Sequence, residues 1–249
     1  MEEKTKINKL IKTSLYIIVI VLIISVIALM ILKYNVEGEK NMPFKLSNII
    51  VISNAQGVAV MDDNSGYLWN EDIYQNNDIY LNIEKNKNYK ETEIIKSLTI
   101  DNIKIDNNPE IGTIEFYRTS NEEKNLFTYS EEYKIKDNIE WIGDIESDLK
   151  NLKVSNQGGT IIISVVNKTG KLYKSNDEEF EHNGKLLEKV GVTYEEIKTN
   201  ISFDLIINLE SGVSFKANIK LKLPVGNIIL DGSSSLEKTD LKDIIFKRE

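Results

Sequence analysis

Two short patterns in the sequence match motifs in which a serine hydroxyl acts as a nucleophile with help from a lysine. Residues 147–150 (SDLK) fit S-x-x-K, and residues 168–170 (KTG) fit K-T-G. In enzymes that combine these motifs, they lie at distant ends of a large domain, whereas about twenty residues separate them here. S-x-x-K recurs at residues 235–238, so the pattern arises easily by chance, and we nominate no catalytic residue.

The single histidine, His182, lies in an acidic run at residues 176–184 (NDEEFEHNG). A histidine beside carboxylates could act as a general base or bind a transition metal. Runs of charge are more often solvated loops, and no G-x-S-x-G motif supplies a serine partner. The sequence therefore predicts no metal ligand and no cofactor-binding residue.

Residues 62–66 (DDNSG) resemble the opening of a calcium-binding loop. An EF-hand loop starting at Asp62 would need glycine at its sixth position and glutamate at its twelfth. Tyr67 and Ile73 stand there instead, so we expect a hairpin turn. A calcium site of another kind elsewhere in this acidic chain stays open.

Six aromatic residues could form a platform for sugars on one face of a sheet. They are Trp69, Trp141, Tyr67, Tyr74, Tyr80 and Tyr89. The alternation of Tyr67 and Trp69 is equally typical of core residues, which is the commoner place for large aromatic side chains. Both interpretations remain possible from the sequence.

All of these candidate residues come after an uncharged stretch at residues 13–32 (TSLYIIVIVLIISVIALMIL). A helix of this length spans roughly 30 Å, the thickness of the hydrocarbon core of a bilayer. Only Thr13, Ser14, Tyr16 and Ser25 interrupt it, so no polar face suits a soluble core helix. The stretch exceeds the apolar part of a signal peptide, no small-residue cleavage site follows it, and no cysteine allows lipid attachment. We expect a retained anchor.

Basic residues near the span predict its orientation. Four lysines precede it: Lys4, Lys6, Lys9 and Lys12. Lys33 and Lys40 follow it, and the positive-inside rule then places the N-terminus in the cytoplasm. We expect a single-pass protein of the cell membrane with a cytoplasmic tail (1–12), a transmembrane helix (13–32), a stalk (33–43) and an extracellular domain (44–249).

The predicted extracellular part is acidic. The chain of 249 residues has a formal net charge of −8, and residues 34–249 hold 26 basic and 37 acidic side chains, a net charge of −11. Such a surface repels phosphate backbones, so we exclude nucleic acid as a partner. The absence of cysteine excludes disulfides, thiolate metal sites and cysteine nucleophiles.

The clearest folding signal is a hairpin at residues 201–223. Apolar residues alternate with polar ones through residues 201–209 and again through residues 213–223, where Lys216, Lys220 and Lys222 share the polar face. Residues 210–212 (ESG) form a three-residue loop with glycine where a positive φ is needed. Period two on both strands predicts antiparallel pairing with one face buried and one in solvent.

Shorter strand signals occupy much of the rest of the chain. They lie at residues 44–53, 57–61, 67–69, 78–84, 94–105, 113–119 and 160–166, with a bulge or turn at Asp101 and Asn102. Helical signals are short, at residues 146–152, 185–190 and 193–199, where Thr193 and Glu196 have capping-box spacing. We expect an all-β domain, an antiparallel β-sandwich, with a division near residue 145 as an alternative.

Several longer strings carry a resemblance to other proteins. They are residues 34–53 (YNVEGEKNMPFKLSNIIVIS), 75–81 (QNNDIYL), 156–161 (NQGGTI), 201–212 (ISFDLIINLESG) and 223–228 (LPVGNI). These strings are similar to uncharacterised single-pass, membrane-anchored exported proteins of Gram-positive bacteria. The resemblance implies the same architecture, but those proteins have no known activity, so it implies no functional residue.

The function predicted from the sequence is a non-enzymatic binding or interaction module whose partner is an envelope protein or a wall polymer. Two carboxylates about 5–9 Å apart across a cleft would instead indicate a surface enzyme acting on glycans. An accessory subunit of a membrane complex is a third hypothesis, although the helix lacks a small-xxx-small glycine motif. A pilin-like protein is disfavoured, because no glycine cleavage site and no acidic residue within the apolar run are present.

Overall fold

The computed structural model describes residues 2–60, 66–176 and 185–249, and the chain forms two compact units, Met1–Lys40 and Asn41–Glu249. The first unit contains helix α1 (Glu2–Glu37). Its segment Lys12–Glu37 is long and apolar enough to cross a membrane. Within the described ranges it is the one helix with these properties.

Helix α1 continues beyond the predicted span. Residues 33–37, expected as the start of a polar stalk, form its last turns, because nothing in their sequence breaks a helix. The helix ends at Gly38, which has φ of 68° and donates its N–H to the carbonyl of Tyr34 at 2.8 Å. Within the apolar run, the Ser25 hydroxyl donates to the carbonyl of Val21 at 2.8 Å and so stays satisfied without water.

The second unit is a β-sandwich of two sheets, which confirms the predicted fold class. Sheet A has the strand order β10-β1-β2-β7-β4, with β1 (Phe44–Ala59), β2 (Trp69–Lys85), β4 (Thr113–Tyr117), β7 (Gly158–Ser175) and β10 (Ser233–Lys238). Sheet B has the order β11-β9-β8-β3-β5-β6, with β3 (Ile95–Asn107), β5 (Ile139–Asp144), β6 (Lys153–Ser155), β8 (Thr199–Leu209), β9 (Ser214–Leu223) and β11 (Lys247–Arg248). The pairs are antiparallel except β5 with β6, which is parallel.

Short helices connect some of these strands. They are α2 (Leu186–Lys189), α3 (Tyr194–Ile197), α4 (Ile228–Asp231) and a single 3₁₀ turn at Glu131–Tyr133. Helix α3 begins with the predicted capping box: the backbone N–H and the hydroxyl of Thr193 both donate to Oε2 of Glu196, at 2.7 and 2.8 Å.

The main core lies between the inner faces of the two sheets. The hairpin of β8 and β9 forms as predicted: Leu205 faces Ala217 and Ile207 faces Phe215, with all four side chains buried. The loop between them reaches φ of 85° at Gly212. The strand alternation therefore sends the apolar side chains inward and the lysines of β9 outward.

A polar band interrupts the inner face of sheet A. It consists of the fully buried side chains of Ser53, Gln75, Asn77 and Asn167. The Ser53 hydroxyl donates to Oδ1 of Asn77 at 2.7 Å, and Asn77 donates to the carbonyl of Val165 at 3.1 Å. Beyond the band, Ala55 and Ile73 pack with residues of α2, α3 and α4 in a second apolar cluster. Both sheets contain strands from before and from after residue 145.

Three local predictions are wrong. The strands predicted separately at residues 67–69 and 78–84 form the single strand β2, which begins at Trp69 and continues through residues 70–77 because these pair with β1 and β7. The sequence predicts two strands at residues 44–53 and 57–61, but β1 runs unbroken through residues 54–56, because Asn54 and Gln56 pair with β2 across the sheet. The helix predicted at residues 146–152 is replaced by turns, because the Asp148 carboxylate accepts the backbone N–H groups of Lys150 and Asn151. The predicted break in β3 is confirmed as a bulge, with Asn102 at φ of 51°.

Candidate functional site

A row of hydrogen-bonded side chains crosses four strands on the outer face of sheet A. The Thr160 hydroxyl donates to Oδ1 of Asn82, whose amide nitrogen donates to Oδ1 of Asn48. The Asn48 amide donates to Oε1 of Glu237 at 2.5 Å. We call these four residues the amide ladder. It forms because the strand register places Asn48 opposite Asn82 and Asn82 opposite Thr160.

The end of the amide ladder opens into a pocket of about 690 Å³. The pocket lies where β2 ends and β7 begins, between the loop after β2 and the turn before β7. Its polar walls include Asn82, Asn86, Tyr89, Gln157 and Thr160. We call it the amide pocket. Its volume is in the range of roughly 300–1,000 Å³ that is typical of small-molecule sites.

Hydrogen bonds hold the amides of the pocket in place. Oε1 of Gln157 accepts from Nζ of Lys85 at 3.2 Å. The Asn86 side chain donates to the carbonyl of Met42 at 2.8 Å and accepts the backbone N–H of Asn88 at 3.1 Å. Because these groups are already oriented, a ligand would not have to order them on binding.

Two glycines form part of the pocket wall at positions where neighbouring atoms leave no room for a side chain. Gly158 has φ of 108°, and a Cβ atom there would lie 2.7 Å from the carbonyl oxygen of Ile83. At Gly159, a Cβ atom would lie 3.0 Å from the Val154 side chain. Glycine at these positions lets β7 start close to β2 and to the core residue Val154.

A second polar cluster lies on the same face of sheet A, around β2, β7 and β4. The Ser164 hydroxyl donates to Oδ1 of Asp78 at 2.7 Å, and burial raises the pKa of Asp78 to about 6. Tyr129 lies over this pair, with its ring centroid 5.3 Å from that of Tyr117 and 6.2 Å from that of Tyr74. Burial also raises the pKa of Tyr129.

Glu115 on β4 joins two lysines in this cluster. Its oxygens lie 2.7 Å from Nζ of Lys134 and 2.6 Å from Nζ of Lys168, and the Tyr117 hydroxyl donates to it at 2.5 Å. Burial alone would raise the pKa of Glu115, but the hydrogen bonds from Lys134, Lys168 and Tyr117 outweigh it and lower the pKa to about 2. The carboxylate is therefore ionised and fully engaged at neutral pH.

The arrangement around Asp78 is suited to holding the fold together. The Ser164 side chain is fully buried and is therefore not presented to a substrate. The hydroxyl and carboxylate satisfy each other across paired strands, and aromatic rings pack above them. The amide pocket is open and lined by polar side chains, so it is the better candidate for a ligand site.

The residues of the two serine-lysine patterns lie apart in the fold. Ser147 lies between β5 and β6 of sheet B, and its hydroxyl donates to the carbonyl of Lys153. Lys168 and Thr169 lie on β7 of sheet A, where the Thr169 hydroxyl donates to the carbonyl of Ile73 at 2.5 Å. Lys150 donates to the carbonyl of Glu122. The fold thus does not bring the two motifs together.

Two of the sequence motifs fall outside the described residues: the acidic run from residue 177 to 184, which contains His182, and residues 62–65 of the predicted hairpin turn. In the described ranges, no group of three or more histidine, aspartate or glutamate side chains could hold a metal ion.

The six aromatic residues do not gather at one place: Trp69, Tyr74 and Tyr80 lie on β2, and the other three lie elsewhere. Trp141 is fully buried in the main core, and Tyr74 packs beneath Tyr129. Tyr67 is 46% exposed before the start of β2, whereas Tyr89 lines the amide pocket. A single platform of six rings is not formed, because the strand register assigns them to different faces and ends of the sandwich.

Sequence reasoning did not select Asn82, Gln157 and Thr160 as site residues. Their strings, QNNDIYL extended to Asn82 and NQGGT at residues 156–160, gave signals for strands and a turn only. The outward position of Asn82 in the alternating pattern was the one available signal.

Comparison of the chain with protein-family models, with curated proteins and with solved structures gives no match.

Proposed function

We propose that the protein is a single-pass, membrane-anchored binding module of the cell surface that does not catalyse a reaction. Residues 13–32 contact the lipid bilayer, residues 1–12 are cytoplasmic, and the sandwich unit presents the amide pocket outside the cell. The lysines before the span favour this orientation. An envelope protein or a wall polymer is the expected partner.

The amide pocket is the observation that carries this proposal. It combines an open volume of about 690 Å³ with side chains already fixed by hydrogen bonds, notably those of Asn82, Gln157 and Thr160. Amides and aliphatic hydroxyls neither take up nor release protons near neutral pH. They provide directional contacts to a ligand without the acid-base chemistry of a hydrolytic site.

Photo-crosslinking in intact cells tests the proposal for any class of ligand. A benzophenone amino acid at position 157 inserts into C–H bonds of proteins and sugars alike. The control places the same group at position 204, on the outer face of sheet B. We expect a covalent product from position 157 that position 204 does not give.

The crosslinked products test both the binding role of the pocket and its extracellular placement. Absence of any product specific to position 157 would contradict a binding role for the pocket. Capture of cytoplasmic proteins alone would contradict the extracellular placement.

A further inference from the structure

We infer, resting on the proposed binding function, that the ligand of the amide pocket is an uncharged, hydroxyl-rich sugar chain. The inference follows from the pattern of hydrogen-bonding groups, from the shape of the pocket wall and from the charge of the surroundings.

The hydrogen-bonding pattern is directional. The Thr160 hydroxyl uses its hydrogen on Asn82, so its oxygen can only accept from a ligand. Oε1 of Gln157 accepts from Lys85, and its Nε2 donates to Oδ1 of Asn156 at 3.4 Å, which leaves one N–H of this amide as a donor towards the pocket. A sugar hydroxyl both donates and accepts hydrogen bonds. Neighbouring hydroxyls of one ring can therefore donate to Thr160 and accept from Gln157.

The backbone along this wall is already used. Asn82 pairs with Thr160 and Glu84 with Gly158 in the ladder between β2 and β7. Those groups are therefore not free to add an extended peptide strand, which binds through main-chain hydrogen bonds. Recognition at this wall must come from side chains, which suits a ligand whose polar groups project from rings.

The shape of the pocket suits a ring. Gly158 and Gly159 contribute backbone to this wall, and their close approach to Ile83 and Val154 fixes its position. Tyr89 stands in the same pocket as the one aromatic side chain of its described lining. A tyrosine ring offers an apolar face with a polar tip, which matches the apolar faces and polar edges of a sugar.

Charge favours an uncharged chain. The amide ladder carries no ionisable side chain until it reaches Glu237 at the strand edge. Residues 34–249 have a net charge of −11, which opposes the approach of a polyanion. The exposed lining of the pocket holds Lys85 and Lys87 against Glu84, a local net charge of +1 that is small beside the −11 of residues 34–249.

Titration of the detergent-solubilised full chain with the tetramer of N-acetylglucosamine, the tetramer of glucose and tetragalacturonate tests this inference. We expect at least one neutral tetramer to bind more tightly than tetragalacturonate. Thr160→Val should weaken that binding by about tenfold, the effect of losing a hydrogen bond worth about 1.4 kcal/mol. Thr160→Ser should retain it, and Thr99→Val, the matched change on sheet B, should leave it unaltered.

Each outcome has a distinct meaning. No neutral binding, or equal loss with Thr160→Val and Thr99→Val, would overturn the sugar assignment. If sugars fail while position 157 still crosslinks a protein in cells, the binding module stands and the sugar inference falls. Circular dichroism of each variant separates loss of contact from loss of fold, and Gln157→Ala provides a second contact variant at the exposed turn.

Discussion

The Ser164 hydroxyl and the Asp78 carboxyl meet at 2.7 Å across the paired strands β7 and β2, beneath the ring of Tyr129. Burial raises the pKa of Asp78 from 3.8 to about 6, although the hydrogen bond from Ser164 acts in the opposite direction. The folded chain therefore holds the carboxyl proton of Asp78 more tightly than the unfolded chain does. The contribution of the protonated Asp78 to the stability of the fold is complete below about pH 4 and is lost as the pH rises through about 6.

We predict that Asp78→Asn stabilises the folded chain at neutral pH. A shift from 3.8 to about 6 corresponds to roughly 3 kcal/mol, which sets the upper size of the effect. Asparagine keeps an oxygen that accepts from Ser164 but carries no charge. The measurement is the free energy of unfolding in detergent at pH 4.5 and pH 8. The matched change Asp240→Asn, at a side chain that is 72% exposed, should be neutral. A less stable Asp78→Asn protein at pH 8 would show that the ionised carboxylate supports the fold.

Glu115 should make the opposite contribution. Its pKa is lowered to about 2, so its stabilisation is present above pH 4.5 and disappears as the pH falls towards 2. Glu115→Gln leaves Lys134 and Lys168 without their shared carboxylate, and we expect a loss of about 1–3 kcal/mol at pH 7. Glu131→Gln removes only an exposed partner of Lys134 and should change stability by less than about 0.5 kcal/mol. Similar effects of the two variants in chemical denaturation would argue against this cluster as a stabilising feature.

Neighbouring residues of β8 face opposite sides of the sheet, so the same substitution at two adjacent positions should have opposite effects. Leu205 is fully buried in the main core, whereas its neighbour Ile206 points to the outer face and is partly exposed. Leu205→Asp should unfold the sandwich, because an unpaired buried charge costs several kcal/mol. Ile206→Asp should leave a folded protein. Far-ultraviolet circular dichroism compares the two variants. A folded Leu205→Asp protein would show that the register of β8 is wrong and that Leu205 does not face the core.

Alanine variants of two glycines with positive φ test how closely β7 must approach β2. A Cβ atom added at Gly158 would lie 2.7 Å from the carbonyl oxygen of Ile83, whereas one added at Gly170 would meet nothing within 4 Å. Gly170, with φ of 71°, lies near the left-handed helical region, where alanine costs about 1 kcal/mol, whereas Gly158, with φ of 108°, lies outside it. Gly158→Ala should lose more stability than Gly170→Ala, because β7 must also move away from β2. Equal melting temperatures for the two variants would mean that the close approach of these strands is not required.

Much of the fold follows from local sequence patterns. The hairpin of β8 and β9 has a strict period of two and a glycine in its loop, and the structure reproduces it. The helix predicted at residues 146–152 is wrong, because the Asp148 side chain captures backbone N–H groups that a helix would use. The sequence does not predict that β1 is unbroken, because its polar residues 54 and 56 look like a loop and only their pairing with β2 keeps them in the strand.

The site was far less accessible from the sequence. Asn48, Asn82 and Thr160 are separated by more than thirty residues from one to the next, and only the register of three strands brings them into one row. Single asparagines and threonines in strands give no chemical signal by themselves. The motifs that give a signal lie apart: residues 147–150 lie between β5 and β6, residues 235–238 lie on the edge strand β10, and residues 168–170 lie on β7.

Cysteine labelling can show whether the amide pocket is extracellular and occupied in cells, since the natural chain contains no cysteine. Gln157→Cys and Asp204→Cys are treated with a membrane-impermeant maleimide in intact cells and after purification. The account predicts that both thiols react in intact cells, and that the thiol at position 157 reacts several times more slowly there than in the purified chain. The thiol at position 204 should react equally in both. Reaction of either only after permeabilisation would contradict the extracellular placement, and equal rates at position 157 in cells and in purified protein would contradict an occupied binding pocket.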